Sequence, residues 1–193
     1  MLRLDGKRIY LRDHRAEDLA VFHAWLSDPE VSRFLSWRTT TLDESLIKLA
    51  EAIEGAGQQP RRKYFFAVLA KDTDAIIGEA GFTVAEPVKQ GGIADLGYFF
   101  LKPYWGQGYA SEAAGVMLDY CFRRLKLHKV MASCDAENPA SERVMLRCGM
   151  KREALRRKQE LLDGQWRDRL EYAILVEDWL KNNSQGNPEN DPG

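Results

Sequence analysis

Nothing in these 193 residues reads as a membrane-spanning or export segment. No stretch approaches the roughly 20 consecutive apolar residues that cross a bilayer. The N-terminus, Met1-Leu2-Arg3-Leu4-Asp5, lacks the apolar run of a secretion signal. A cytoplasmic protein with no membrane partner is expected. A surplus of either charge is also missing: 28 basic and 29 acidic side chains leave a formal net charge of −1. Nucleic acid is therefore not expected as a partner, because that requires a basic surplus over the phosphates. Any anion-binding patch must be local. Cysteine is scarce, with Cys121, Cys134 and Cys148 an odd set without metal-ligand spacing, so no metal is expected. Their apolar neighbours suggest reduced, buried thiols. A catalytic Cys–His pair is the sharper alternative, with His128 as the nearest histidine, and nothing local to either residue supports it. No internal repeat is evident.

What is present suits one soluble domain. Hydrophobic residues make up 45% and charged residues 30%, and the length allows one well-buried core but not two comfortable ones. We expect a single domain over residues 1–181 and a polar, disordered tail over 182–193. Ile9-Tyr10-Leu11-Arg12 alternates as a strand. Leu19, Phe22, Trp25 and Leu26 recur at helical spacing until Asp28-Pro29. A second short helix is expected around Val31, Phe34 and Leu35. Thr41 and Glu44 form a capping box that opens a helix through Ile53. Strands follow at Tyr64–Ala70, Ile76–Val84 and Ile93–Leu101. After Gly108 the period is helical to Leu125, and Lys129–Cys134 reads as a strand. Asn138-Pro139 supplies an N-cap and first-turn proline for a helix that Gly149 ends. A final hairpin turns at Asp163-Gly164. The order predicts an α/β domain with a mixed, mostly antiparallel sheet, a right-handed parallel crossover at its centre and flanking helices.

The chemistry is concentrated after the third central strand. Gly106-Gln107-Gly108-Tyr109-Ala110-Ser111 runs from a strand into a helix, where unpaired N–H groups face the positive end of the helix dipole. Two glycines let a phosphate approach the backbone, and Ser111 adds a hydroxyl. A dinucleotide fingerprint fails because Ser111 stands at its third glycine and no acid follows about twenty positions on. A Walker-type loop fails because no Gly-Lys-Ser/Thr is present. A diphosphate held without lysine or metal remains, and coenzyme A fits it. A turn serving only chain geometry is the alternative.

Pro103 through Ala113 carries a Pro-x-Trp-Gly-x-Gly-Tyr-Ala-Ser-Glu-Ala pattern, and Asn138-Pro139-Ala140-Ser141 precedes Cys148-Gly149-Met150. With these two motifs the chain resembles the GNAT superfamily of N-acetyltransferases, in particular the ribosomal-protein N-terminal (alanine/serine) acetyltransferases. Trp105 occupies the usual Gln/Arg place of the acyl-CoA signature. The resemblance spans roughly residues 7–180. It implies a GNAT-like fold with a splayed parallel strand pair, and acetyl-CoA as co-substrate for a primary amine acceptor. It places the pantetheine arm on the backbone of Phe99, Phe100 and Leu101, and the diphosphate on the loop from Trp105 to Ser111. Asn138 would hold the pantetheine from the other side, although it also serves as an N-cap.

The resemblance further implies that Ser141 protonates the departing thiolate, or else merely stabilises the first helical turn. Asp95 is the candidate base, with Glu79 second, each being otherwise a solvated strand residue. Phe34, Trp37 and Trp166 would line the acceptor cleft unless they serve the core. The basic run Arg156, Arg157 and Lys158 reads equally as a solvated face. The acceptor is expected to be a protein N-terminus. A small amine or aminoglycoside acceptor, and a CoA-binding module without turnover, are the alternatives. Oligomeric state stays open, a homodimer included.

Overall fold

The computed structural model describes residues 1–35, 41–85 and 91–184. The strands are β1 (Arg3–Asp5), β2 (Ile9–Asp13), β3 (Lys63–Ala70), β4 (Ile76–Val84), β5 (Ile93–Phe100), β6 (Lys129–Asp135), β7 (Lys151–Leu162) and β8 (Gln165–Leu175). The helices are α1 (Leu19–Ser27), α2 (Leu42–Gly57), α3 (Tyr109–Asp119), α4 (Pro139–Arg147) and α5 (Val176–Ser184). All eight strands form one sheet in the order β1-β2-β3-β4-β5-β6-β8-β7. Neighbours are antiparallel except β5 and β6.

The parallel pair positions everything that follows. β5 and β6 are in register only from Ile93↔Lys129 to Leu96↔Ala132. Beyond that point both strands continue, β5 to Phe100 and β6 to Asp135, but held by their outer neighbours alone. The sheet therefore opens into a wedge whose apex lies after Leu96 and Ala132. Strand alternation decides which backbone groups face it. Leu101 N–H bonds the Ile77 carbonyl and Ala85 N–H bonds the Ile93 carbonyl, so the odd-numbered residues of β5 are tied to β4. Tyr98 is left to present N–H and C=O to the gap and Phe100 its N–H, the Phe100 carbonyl being bonded by the Trp105 indole. On β6, Ala136 N–H bonds Asp168 and Val176 N–H bonds His128, which by the same alternation turns Ser133 toward the gap.

One face of the sheet buries Phe66, Phe82, Leu96 and Val130 under α3, α4 and α5, through Ala113, Met117, Met145 and Trp179. The other face buries Phe99 and Ile76 against Phe22, Trp25, Leu26 and Leu49 of α1 and α2. Alanines at the sheet-facing positions of α3 let its axis lie close to the strands. The capping box of α2 forms as its sequence dictates: Glu44 N–H donates to Thr41 Oγ1 at 3.2 Å and Thr41 N–H to Glu44 Oε2 at 3.1 Å. The β7–β8 turn holds Asp163 and Gly164 at φ 50° and 76°, the left-handed pair that a tight hairpin requires.

Three expectations need correction. Residues 31–35 form isolated turns rather than a helix, with Ser32 N–H bonding Asp28 O and Leu35 N–H bonding Ser32 O. The Ser32 hydroxyl also donates to the Asp28 carbonyl at 2.8 Å, tying the segment back to the end of α1. The helical stretch after Gly108 changes winding: α3 ends at Asp119 and Tyr120–Arg124 form a π-helical turn. Finally, residues 182–184, expected in the tail, complete α5, which Trp179 anchors in the core. The rest of the tail lies outside the described residues.

Candidate active site

The loop between β5 and α3 has the shape of an anion cradle. Gly106 and Gly108 adopt φ of 73° and 83°, a backbone that side chains other than glycine rarely take. A Cβ added at Gly106 would meet nothing within 4 Å, so the loop is open on its outer side. Tyr104 and Trp105 direct their N–H groups back to Leu101 and Lys102, and Glu112 N–H bonds the Gly108 carbonyl. Between them, the N–H groups of Gly106, Gln107, Gly108, Tyr109, Ala110 and Ser111 have no acceptor among the described residues. Six bare donors at the start of an eleven-residue helix fit a diphosphate without help from a metal.

Side chains brace this loop rather than fill it. Trp105 donates its indole N–H to the Phe100 carbonyl at 2.6 Å, joining the cradle to the edge of the wedge. Gln107 Nε2 bonds the Pro103 carbonyl at 2.7 Å. Arg8, which sequence reading missed, reaches in from β2: Nη1 donates to Gln107 O at 3.0 Å and the guanidinium lies 4.5 Å from the Tyr109 ring centre. Glu112 holds it through Nε at 2.8 Å. The 104 positions between Arg8 and Glu112 explain why no local pattern announced the pair. The Ser111 hydroxyl is buried without a partner among the described residues, so only its N–H serves the cradle.

The structure gathers the two motifs at the wedge. Asn138 caps α4, its Oδ1 accepting from Ser141 N–H at 3.1 Å, and its amide NH2 is left without an acceptor among the described residues. Ser141 Oγ sits 3.0 Å from the Tyr98 hydroxyl. Tyr98 and Cys134 share this face of the sheet, and burial raises the Tyr98 hydroxyl well above the ordinary tyrosine value. Burial likewise pushes the Cys134 and Cys148 thiols up to about 11 and raises Cys121 further, which disfavours the thiolate that a Cys–His nucleophile needs. Phe99 and Leu101 turn their backbone toward β4, and the Phe99 ring packs 5.5 Å from Trp25. The open edge thus belongs to Tyr98 and Phe100.

Asp95 and Gly97 lie on the opposite face, where a Cβ at Gly97 would meet nothing within 4 Å. Asp95 is exposed, yet partial desolvation of its carboxyl by the surrounding protein raises it above the ordinary value. Glu171 adds to that shift, while Arg169 and the Leu96 N–H oppose it. Arg169 is pinned by Ser133 Oγ at 2.7 Å and Glu160 Oε2 at 2.8 Å. Glu79 is less free: its Oε2 stands 2.9 Å from Nε2 of the buried His14. It floors a cleft of about 240 Å³ between α1, α2 and the sheet, walled by Phe22, Glu51 and Phe65. Phe34 is half-buried beneath Arg33, and Trp166 stands 60% exposed beside the hairpin turn. Trp37 lies outside the described residues. The run Arg156, Arg157 and Lys158 is exposed, and Arg156 pairs with Glu171 at 2.5 Å.

A family model described as an acetyltransferase (GNAT) domain matches residues 8–151. The chain belongs to the GNAT acetyltransferase family. It is 31% identical over 180 residues to the uncharacterized N-acetyltransferase YnaD of Bacillus subtilis, covering 92% of this chain and 99% of that one. It is 30% identical over 118 residues to the ribosomal protein uS5-alanine N-acetyltransferase of Escherichia coli, covering 60% and 59% of the two chains. The fold is also that of a solved ribosomal L7/L12 alpha-N-protein acetyltransferase in complex with coenzyme A: TM-score 0.81, 19% identity, with 92% and 99% of the chains covered. GNAT enzymes use acetyl-CoA as the acetyl donor.

Proposed function

We propose that this enzyme acetylates the α-amino group of a protein N-terminus, of the kind that ribosomal proteins present. The observation that carries this reading is the open face at Gly97, with Asp95 as its carboxylate. An unperturbed α-amine has a pKa of about 7.7–8.0 against about 10.4 for a lysine side chain. Deprotonating the α-amine therefore costs about 3 kcal/mol less, within reach of a carboxylate of only moderately raised basicity. The 30% identity to the uS5-alanine enzyme points to the same acceptor class.

Acetyl-CoA supplies a thioester carbonyl that an amine can attack. The bare amides of Gly106 to Ser111 hold its diphosphate, and the Tyr98 and Phe100 edge, with Asn138 opposite, aligns the pantetheine as an added strand. Asp95 takes the proton of the incoming ammonium, directly or through water. The Tyr98 N–H at the wedge apex donates to the thioester oxygen as negative charge builds there. Ser141 passes its hydroxyl proton to the departing sulfur and regains one from solvent. Phe34 and Trp166 contact the residues that follow the acceptor amine.

The test is CoA release, with product mass recorded, across peptides with free N-terminal alanine or serine, polyamines and aminoglycosides. Acetylated peptide α-amine is the expected product. Turnover confined to polyamines or aminoglycosides would replace the acceptor assignment, and CoA binding without any product would leave only a binding module.

A further inference from the structure

Tyr98 has a hydroxyl for which the mechanism above has no use. It lies 3.0 Å from the Ser141 carbonyl and 3.0 Å from Ser141 Oγ, across 43 positions of sequence. Its ring leaves β5 just past Leu96, where the strands part, and its hydroxyl ends beneath the first turn of α4.

We infer that Tyr98 is a positioning residue for Ser141, fixing the serine hydroxyl so that its proton points at the sulfur of bound CoA. The inference rests on the role proposed above for Ser141. A serine hydroxyl rotates freely and has one hydrogen to give. In the first turn of a helix it is drawn toward nearby backbone groups. The tyrosine O–H, shared between the Ser141 carbonyl and Ser141 Oγ, occupies one lone pair of Oγ and leaves the serine hydrogen to find another acceptor. The sulfur of bound CoA is that acceptor. Burial keeps the Tyr98 hydroxyl neutral, and its contacts are with Ser141, so it acts through the serine. It remains a donor throughout, which is what positioning requires.

The probe is CoA itself, whose bound thiol can be titrated by the ultraviolet difference absorbance of the thiolate. In the wild type the bound thiol should ionise at lower pH than free CoA. Tyr98→Phe keeps the ring and should raise that value by about 0.7 unit, the fivefold worth of one neutral hydrogen bond. Ser141→Ala should raise it at least as far, and the double variant should match Ser141→Ala alone, as coupled neighbours do. An unchanged thiol titration in Tyr98→Phe, or an equal shift in the Ser141→Ala background, would overturn the inference. A silent Ser141→Ala would instead remove the acid role on which it rests.

Discussion

Raising the pH through the alkaline range should discharge His14 and destabilise the fold. The ring is buried beside two carboxylates, Asp18 at 3.6 Å from Nδ1 and Glu79 at 2.9 Å from Nε2. Burial alone would lower its pKa, but the two acids outweigh it and push the value up to about 9. Arg12 lies on the far side of Asp18, at 2.7 Å, so the four side chains carry no net charge only while His14 is protonated. In the unfolded chain the imidazole titrates near 6.5. The folded state binds the proton more tightly, so the stabilisation is complete below that value and is lost as the pH rises through about 9. A shift of about 2.5 units corresponds to about 3 kcal/mol at most, or roughly 8 °C in Tm for a chain of this size. Thermal unfolding between about pH 6 and about pH 8.5 should show most of that fall, because the buried thiols, which titrate at about 9 when unfolded, begin to lower stability only above that range. His14→Gln should start lower and stay flat over the window. A wild-type Tm that does not fall, or a variant with the same slope, would refute the reasoning.

Other outcomes follow from the wedge. Asp95→Asn should lower kcat toward an N-terminal peptide about a hundredfold and abolish the acid limb of the pH–rate profile; a loss under about threefold would remove Asp95 as base. Gly97→Val should fill the acceptor trough and cost about a hundredfold in kcat/KM for the peptide, with the Kd for acetyl-CoA unchanged, as parallel kinetics and calorimetry would show. Trp105→Phe frees the Phe100 carbonyl from its 2.6 Å indole bond and should weaken CoA binding about fivefold by calorimetry.

Local chemistry was legible in the sequence, and long-range geometry was not. Gly108 and Asn138 announce themselves because a left-handed turn and an N-cap are satisfied within three residues. The capping box at Thr41 and the Asp163-Gly164 turn are local for the same reason. Tyr98 gave no such signal, since its partner Ser141 comes close only when α4 folds over the wedge. The His14–Glu79 pair joins the residue just past β2 to β4, which are not neighbours in the sheet, so no strand pattern announces it. Phe99 and Leu101 were placed on the open edge because the sequence shows a strand but not its hydrogen-bonding parity. That parity appears once Leu101 N–H is seen bonded to Ile77. The turns at 31–35 had helical apolar spacing over too short a span for a helix to nucleate.

The account depends on the loop after Pro103 holding the diphosphate of CoA with main-chain amides. Calorimetric titration of acetyl-CoA and of S-acetylpantetheine, which lacks the diphosphate, into the wild type and Gly108→Asp tests it most directly. Aspartate tolerates the left-handed backbone there, so the fold should survive, as a thermal melt would verify. Acetyl-CoA should bind the wild type far more tightly than S-acetylpantetheine, and the added carboxylate should erase that advantage. Full acetyl-CoA affinity in folded Gly108→Asp, or equal affinity of the two thioesters for the wild type, would contradict the account.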